Sequence, residues 1–312
     1  MIVSLPELMR VYPPLAACWE VAQLARAVFL YRNKVAGSSE VVKFYSLKTK
    51  TDPETNAAHE FDCINRVRYI HGSDPSLRPV RAVTRQQSLL VLEHVEGRTL
   101  EEVIALPYSR GGVLEACLQH VADFLAALHS WERPSRPKCP FEESHAYARN
   151  LVIKLQRSST ISTSGPIRPE ELLSAFEHWS DDPSMRAFRP ALIHGDPTTT
   201  NFLHPRSGGM VALDWEYLTT GDPAADVGRL MAEVSHSLKL HHPDLDPSPL
   251  LESLLAAYHR TSDSETDRLG FHQRACFHQA IGSLRIARNE WLSPEARSAA
   301  VRAALAVLGG GQ

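Results

Sequence analysis

The sequence predicts an α+β protein in two lobes. A small N-lobe, residues 1–96, carries an antiparallel sheet and one helix, and a larger, mostly helical C-lobe spans residues 97–312. Three observations lead there. Short apolar, β-branched runs are concentrated before residue 96, and long helical stripes follow it. Gly97 separates them, between a strand that ends and a helix that begins. The 312 residues are too many for one small core and comfortable for two.

Taken in order, residues 14–26 read as an amphipathic helix with Leu15, Trp19, Val21, Leu24 and Ala25 as its buried stripe. The runs Ala27 to Tyr31 and Glu40 to Tyr45 read as strands of a hairpin turning at Gly37-Ser38-Ser39. Thr51-Asp52-Pro53-Glu54 opens a helix, through a Thr51–Glu54 capping box or an Asp52 cap, that Gly72 stops. Leu89 to Glu93 is a buried strand, and Thr99 with Glu102 forms a capping box for the next helix. Leu114, Cys117, Leu118, Val121, Leu125 and Leu128 mark a well-buried helix ending near His129. Residues 146–155 and 170–179 read as helices. Residues 131–139, 158–169 and 180–190 read as loops.

Composition narrows the function. Apolar content of 43% and charged content of 22% are those of a globular protein. A net charge of -3 supplies no basic surface for nucleic acid. The cysteines, Cys18, Cys63, Cys117, Cys139 and Cys276, are scattered and never paired as CxxC, which argues against a disulfide framework or structural zinc and for the reducing cytosol. Leu15-Ala16-Ala17-Cys18 has the form of a lipoprotein box, but Glu7, Arg10, Pro13 and Pro14 precede it without a sustained apolar run. No segment is apolar over the roughly 20 residues that a membrane span needs. A cytoplasmic protein without membrane association is expected.

The chemistry is concentrated in Ala191 to Gly228, where Asp196, Asn201, Asp214 and Asp226 recur at spacings that suit phosphoryl transfer. That reaction asks for positioned charge: a carboxylate at the acceptor hydroxyl and hard oxygen ligands for magnesium. Asp196 fits the first need, Asn201 and Asp214 the second. Asn201 enters and Asp214 leaves a hairpin, Asn201-Phe202-Leu203 and Met210 to Leu213, turning at Pro205 to Gly209, which carries both to one end. Far upstream, Lys43 interrupts an apolar strand. It reads either as an edge lysine facing water or as a phosphate-binding lysine awaiting a carboxylate, and Glu60 on the next helix is available as that partner.

His194-Gly195-Asp196-x-x-x-x-Asn201, then Asp214-Trp215-Glu216, then Gly221-Asp222-Pro223-x-x-Asp226, resembles the aminoglycoside phosphotransferase and choline kinase superfamily. The likeness covers about residues 27–230. Val42-Lys43 is similar to the nucleotide-lysine strand, Glu60 to its helix partner, and Leu92 to Leu100 to the hinge. The resemblance implies a protein-kinase-like fold and an ATP-dependent, magnesium-dependent O-phosphotransferase, with GTP left open as the donor. By it Asp196 is the catalytic base and Asn201 and Asp214 are metal ligands, with Glu216 a further candidate. Lys43, Glu60, Ser38, Glu93 and Val95 serve the nucleotide, and His194 and Asp226 support the loop. Gly37 is the only glycine in the first hairpin, a departure that leaves phosphate cradling to Ser38 and Ser39.

The resemblance implies an acceptor that is a small molecule with a hydroxyl: an aminoglycoside-like antibiotic, an amino alcohol or a sugar. A catalytically silent, kinase-like ligand-binding module is the alternative, and the chain is a monomer or homodimer. Phe141, Tyr147, Trp179, Tyr258, Phe271, Phe277 and Trp291 are candidate pocket linings that composition alone places in the core. The histidines 236, 241 and 242 read as solvated loop residues, and Asp263, Glu265 and Asp267 as solvated charges.

Overall fold

A computed structural model describes residues 19–35, 37–48, 52–72, 74–132, 135, 140–162, 165, 167–261 and 268–309. The chain divides into two compact units: Met1–Tyr69, Pro79–Glu96 and Asp214–Glu216 form the first, and Ile70–Arg78, Gly97–Leu213 and Tyr217–Gln312 the second.

The first unit is a five-stranded antiparallel sheet. Its strands are β1 (Trp19–Ala25), β2 (Val28–Asn33), β3 (Ser39–Phe44), β5 (Ala82–Gln86) and β6 (Leu89–Glu93), in the order β1-β2-β3-β6-β5. The strand β1 corrects the helix expected over residues 14–26. Trp19 to Ala25 also fits a period of two, and pairing with β2 from Trp19↔Asn33 to Ala25↔Val28 decides the matter. As an edge strand it leaves Leu24 exposed instead of buried. Residues 1–18, with Leu15 and Cys18, lie outside the described residues.

The hairpin β2–β3 pairs Arg32 with Ser39, and Gly37 takes φ +67° in its turn, a left-handed conformation glycine adopts without strain. Phe29, Tyr31, Val42, Phe44, Leu89 and Val91 form the core on one face of the sheet. Tyr45 ends the strand pattern by opening a single turn, α1 (Tyr45–Lys48). The helix α2 (Pro53–Val67) starts on Asp52, whose carboxylate accepts from Thr55 N, while Thr51 lies outside the described residues. It ends at Val67, before Gly72. Glu60 is fully buried on this helix, so alternation on β3 and helical period on α2 have turned a lysine and a glutamate inward.

The second unit is mostly helical. The short strands β4 (Leu77–Pro79), β7 (Gly97–Thr99), β9 (Phe202–Pro205) and β10 (Met210–Ala212) make one sheet, and β8 (Ala191–Ile193) pairs with β11 (Thr219–Gly221). The helices are α3 (Leu100–Ile104), α4 (Val113–Trp131), α5 (Phe141–Arg157), α6 (Pro169–Ser180), α7 (Pro223–His241), α8 (Ser248–Thr261), α9 (Arg268–Ala287) and α10 (Pro294–Gly309). The expected capping box at Thr99 and Glu102 is present at the start of α3.

Helices α7 and α9 cross at two glycines. A Cβ on Gly228 would meet Ala275 O at 2.2 Å, and one on Gly282 would meet Ala232 Cβ at 2.6 Å. Mid-helix glycine costs roughly 1 kcal/mol, and here it lets two backbones touch. The proposed aromatic linings fall mostly into the core: Phe141 and Phe277 pack at 5.1 Å, Phe176 and Phe277 at 5.5 Å, and Tyr258 stacks on Phe271 at 5.0 Å. Trp291 is exposed.

Candidate active site

Lys43 is the centre of the polar network in the first unit. Its Nζ donates to Glu60 Oε1 at 2.7 Å, Glu60 Oε2 at 3.0 Å and Asp214 Oδ1 at 2.8 Å. An ammonium has three N–H bonds, and all three are matched. Glu60 also accepts from Tyr45 Oη and from Trp215 N. Burial lowers the Lys43 pKa, but the charges of Glu60 and Asp214 outweigh it and hold the ammonium above the usual lysine range. Burial, then the Glu60 charge, pushes the Tyr45 hydroxyl up, so it stays a donor.

Carboxylate oxygens of Glu60, Asp214 and Glu216 lie within 4.8 Å of one another. Lys48 Nζ stands between two of these residues, 2.7 Å from Glu216 Oε2 and 3.8 Å from Asp214 Oδ1. Asp214 and Glu216 offer hard oxygens of the kind magnesium takes, whereas the Glu60 oxygens are already taken by Lys43, Tyr45 and Trp215 N. Asp214 adopts φ 58°, a left-handed conformation that aspartate tolerates better than most residues. Ser39 Oγ is bonded to His94 Nδ1 at 2.7 Å, and Ser38 is exposed. The Glu93 carboxylate is held by Arg81, through N at 2.8 Å and Nε at 3.0 Å, and Val95 is half-buried just after β6.

In the second unit, Asp226 organises the loop after β8. Its Oδ2 accepts from His194 N at 2.7 Å and His129 Nε2 at 3.1 Å, and its Oδ1 from Gly195 N at 2.9 Å. Burial raises its pKa, and these donors, His129 first, reverse that and hold it low. His194 donates from Nε2 to Leu213 O at 2.9 Å, since a carbonyl only accepts. Its Nδ1 therefore accepts, from Asp196 N at 3.4 Å. Asn201 Nδ2 donates to Asp196 O at 2.8 Å, and Asn201 O accepts from Leu213 N at 2.8 Å. The β9–β10 hairpin thus ties Asn201 to the residue preceding Asp214, although Asn201 itself lies in a 3-10 turn before the strand.

Gly195 takes φ +83°, and a Cβ there would meet Tyr217 O at 2.3 Å. Glu101 on α3 holds the same loop to α7, accepting from Thr199 Oγ1 at 2.7 Å, from Ser237 and from His241. This corrects the reading of His236 and His241 as loop residues, and the reading of the three histidines as solvated holds only for His241, which is exposed. The helix α7 runs through His241, His242 Nε2 bonds Ile104 O at 2.7 Å, and His236 is half-buried. Asp263, Glu265 and Asp267 lie outside the described residues.

Two residues that sequence reasoning missed stand beside Asp196. Arg285 Nη2 is 2.9 Å from its Oδ1, and Arg229 Nη2 is 3.6 Å from the same oxygen. Arg229 also pairs with Glu233 at 2.9 Å. The isolated glycines 228 and 282 were the available signal, because a glycine kept inside a helical pattern marks close packing.

Residues 28–272 match the phosphotransferase enzyme family, APH. The chain belongs to this family. It is similar to several solved structures of low identity that share its kinase-like fold. Macrolide 2'-phosphotransferase MphH of Brachybacterium faecium is 16% identical with a TM-score of 0.62, covering 96% of this chain and 98% of that one. The streptomycin–ATP complex of APH(2")-IIa is 13% identical with a TM-score of 0.62, covering 99% of each chain. Choline kinase LicA of Streptococcus pneumoniae is 17% identical with a TM-score of 0.61, covering 97% and 98%. Among curated proteins, acyl-CoA dehydrogenase family member 11 of Gallus gallus is 31% identical over 141 residues, 44% of this chain and 17% of that protein's length. No helix among the described residues is long and apolar enough to cross a membrane.

Proposed function

We propose that this phosphotransferase-family chain moves the γ-phosphoryl group of ATP onto a hydroxyl of a small molecule. The observation that carries the reading is the buried Lys43, bracketed by Glu60 and Asp214 with every N–H matched. A lysine so fixed is a preset point charge for nucleotide phosphates, and positioned charge is most of what phosphoryl transfer needs. The streptomycin–ATP complex of the similar APH(2")-IIa fold supports ATP as the donor.

In this reading Asp196 accepts the proton of the acceptor hydroxyl. The hydroxyl oxygen forms a bond to the γ-phosphorus as the bond to the β-phosphate oxygen breaks, and that electron pair leaves with ADP. His194 and Asp226 hold the backbone that presents Asp196. Asn201 and Asp214, joined by Glu216, would hold magnesium, which when bound neutralises phosphate charge. Ser38 serves the phosphates, and the backbone around Glu93 and Val95 the adenine.

Asp196→Asn should lower turnover about 10²–10⁴-fold, the range of a lost general base, with ATP affinity changed less than about twofold. Turnover close to wild type on a panel of hydroxyl compounds with labelled ATP would sink the base assignment. Asp214→Ala should abolish the magnesium dependence of nucleotide binding, and an unchanged magnesium titration counts against its role. The contact of Arg285 with Asp196 favours the second reading, a silent binding module, if it is permanent. ATP binding without phosphorylation of any compound in the panel would select that reading.

A further inference from the structure

We propose that Arg229 and Arg285 clamp an anionic group, a carboxylate or a phosphate monoester, on the acceptor, so that the acceptor is a hydroxylated anion and not a hydroxylated amine. The proposal rests on the reading of Asp196 as the base. It starts from the α7–α9 crossing, where Gly282 lies against Arg229, with its virtual Cβ 3.6 Å from the Arg229 Cα. Arg285, three residues further along α9, therefore falls beside Arg229, and both aim a guanidinium at Asp196 Oδ1.

Like charges are crowded here at a cost. Burial, and among its neighbours the Arg285 charge, pulls the Arg229 pKa down, against Glu233 and Asp196. Burial likewise pushes up the pKa of Glu233, which pairs with Arg229 Nη2 at 2.9 Å. Three guanidinium nitrogens, Nε and Nη1 of Arg229 and Nε of Arg285, are buried with no hydrogen-bond partner among the described residues.

That state is not how this fold treats a structural arginine. Arg274, also on α9 and 1% exposed, meets Asp222 Oδ2 through Nε at 2.9 Å and two carbonyls, Ser184 O and Ala187 O, at 3.2 Å. An unmatched buried donor is costly, so three of them mark a cluster built for an acceptor that arrives with the ligand. Planar guanidinium forks match carboxylate and phosphate in two-point contacts. An anion seated on them competes with Asp196 for Arg285 Nη2, and Asp196 Oδ1 is released to take the acceptor's hydroxyl proton as the O–P bond forms. Without the anion the base stays paired, so the clamp restrains Asp196 until the acceptor is in place.

The test is calorimetric titration of wild-type, R229Q, R285Q and R285K protein with inorganic phosphate, glycerate and choline, beside steady-state kinetics on glycerate, glycerol 2-phosphate and choline. The wild type should bind at least one of the two anions and not choline. R229Q and R285Q should weaken anion binding at least tenfold and raise the KM of an anionic acceptor at least tenfold. Their KM for ATP and their circular dichroism should stay those of the wild type, and R285K should recover part of the loss. A preference for phosphate or for glycerate assigns the anion. Choline turned over in preference to the anions, anion affinity equal in wild type and R285Q, or no anion binding at about 10 mM, weaker than any specific site of this kind needs, overturns the clamp. Anion binding lost in R285Q with no turnover on any acceptor would leave the clamp standing and remove the phosphotransferase reading instead.

Discussion

The network around Lys43 and the cluster around Asp196 use the same ingredients to opposite ends. In the first unit one ammonium meets three carboxylate oxygens, and the glutamate oxygens also take a tyrosine hydroxyl and a backbone N–H. Donors and acceptors balance. In the second unit two guanidiniums share Asp196 Oδ1, and buried N–H groups remain unmatched among the described residues. A balanced network fixes geometry before any ligand comes; an unbalanced one keeps free energy in reserve for the ligand that completes it.

The comparison can be broken in order of effect. Lys43→Met should cost the most, about 3–5 kcal/mol, because it leaves the Glu60 carboxylate buried without its cation. The double variant Lys43→Met, Glu60→Gln should regain part of that loss, and thermal melts showing the double variant to be the weaker would contradict the balance argued here. Gly228→Ala comes next. The new methyl meets Ala275 O in the backbone of α9 and should cost roughly 1–3 kcal/mol, as overpacking does. An unchanged melting temperature would mean that the crossing yields easily. Arg285→Gln should cost least, under about 1 kcal/mol, since it relieves repulsion with Arg229 and its side chain is 27% exposed. A loss as large as that of Lys43→Met would make Arg285 a structural residue.

Much of both regions was legible in the sequence, for identifiable reasons. Lys43 stood out because a charge inside an apolar strand demands a partner, and the helical period offered Glu60. Asp226 and His194 were legible as supports of their loop through the resemblance that their stretch carries. Trp19 to Ala25 misled because its residues suit either period, and only the neighbouring strand decides. The histidines misled because helix α7 outlasts its apolar pattern, held at its end by Glu101 and Ile104 O. Arg229 and Arg285 were invisible as site residues. Arginine on a helix is usually solvated, and their burial comes from a crossing of two helices about fifty residues apart in sequence; Gly228 and Gly282 signal close packing, but not which helices meet there.

Gly195 has a consequence for control. Protein kinases usually carry arginine at the middle of the corresponding His-x-Asp triplet, and activation-loop phosphates order such enzymes by pairing with arginines. Here the left-handed backbone and the carbonyl of Tyr217 exclude any side chain at that position. The loop after β8 therefore has no place for a side-chain cation between His194 and Asp196. Its arrangement is set by Asp226, whose carboxylate accepts from His194 N and Gly195 N, and a phosphate would find no arginine to pair with at that position. Under the phosphotransfer proposed above, throughput follows how much acceptor and nucleotide reach the site.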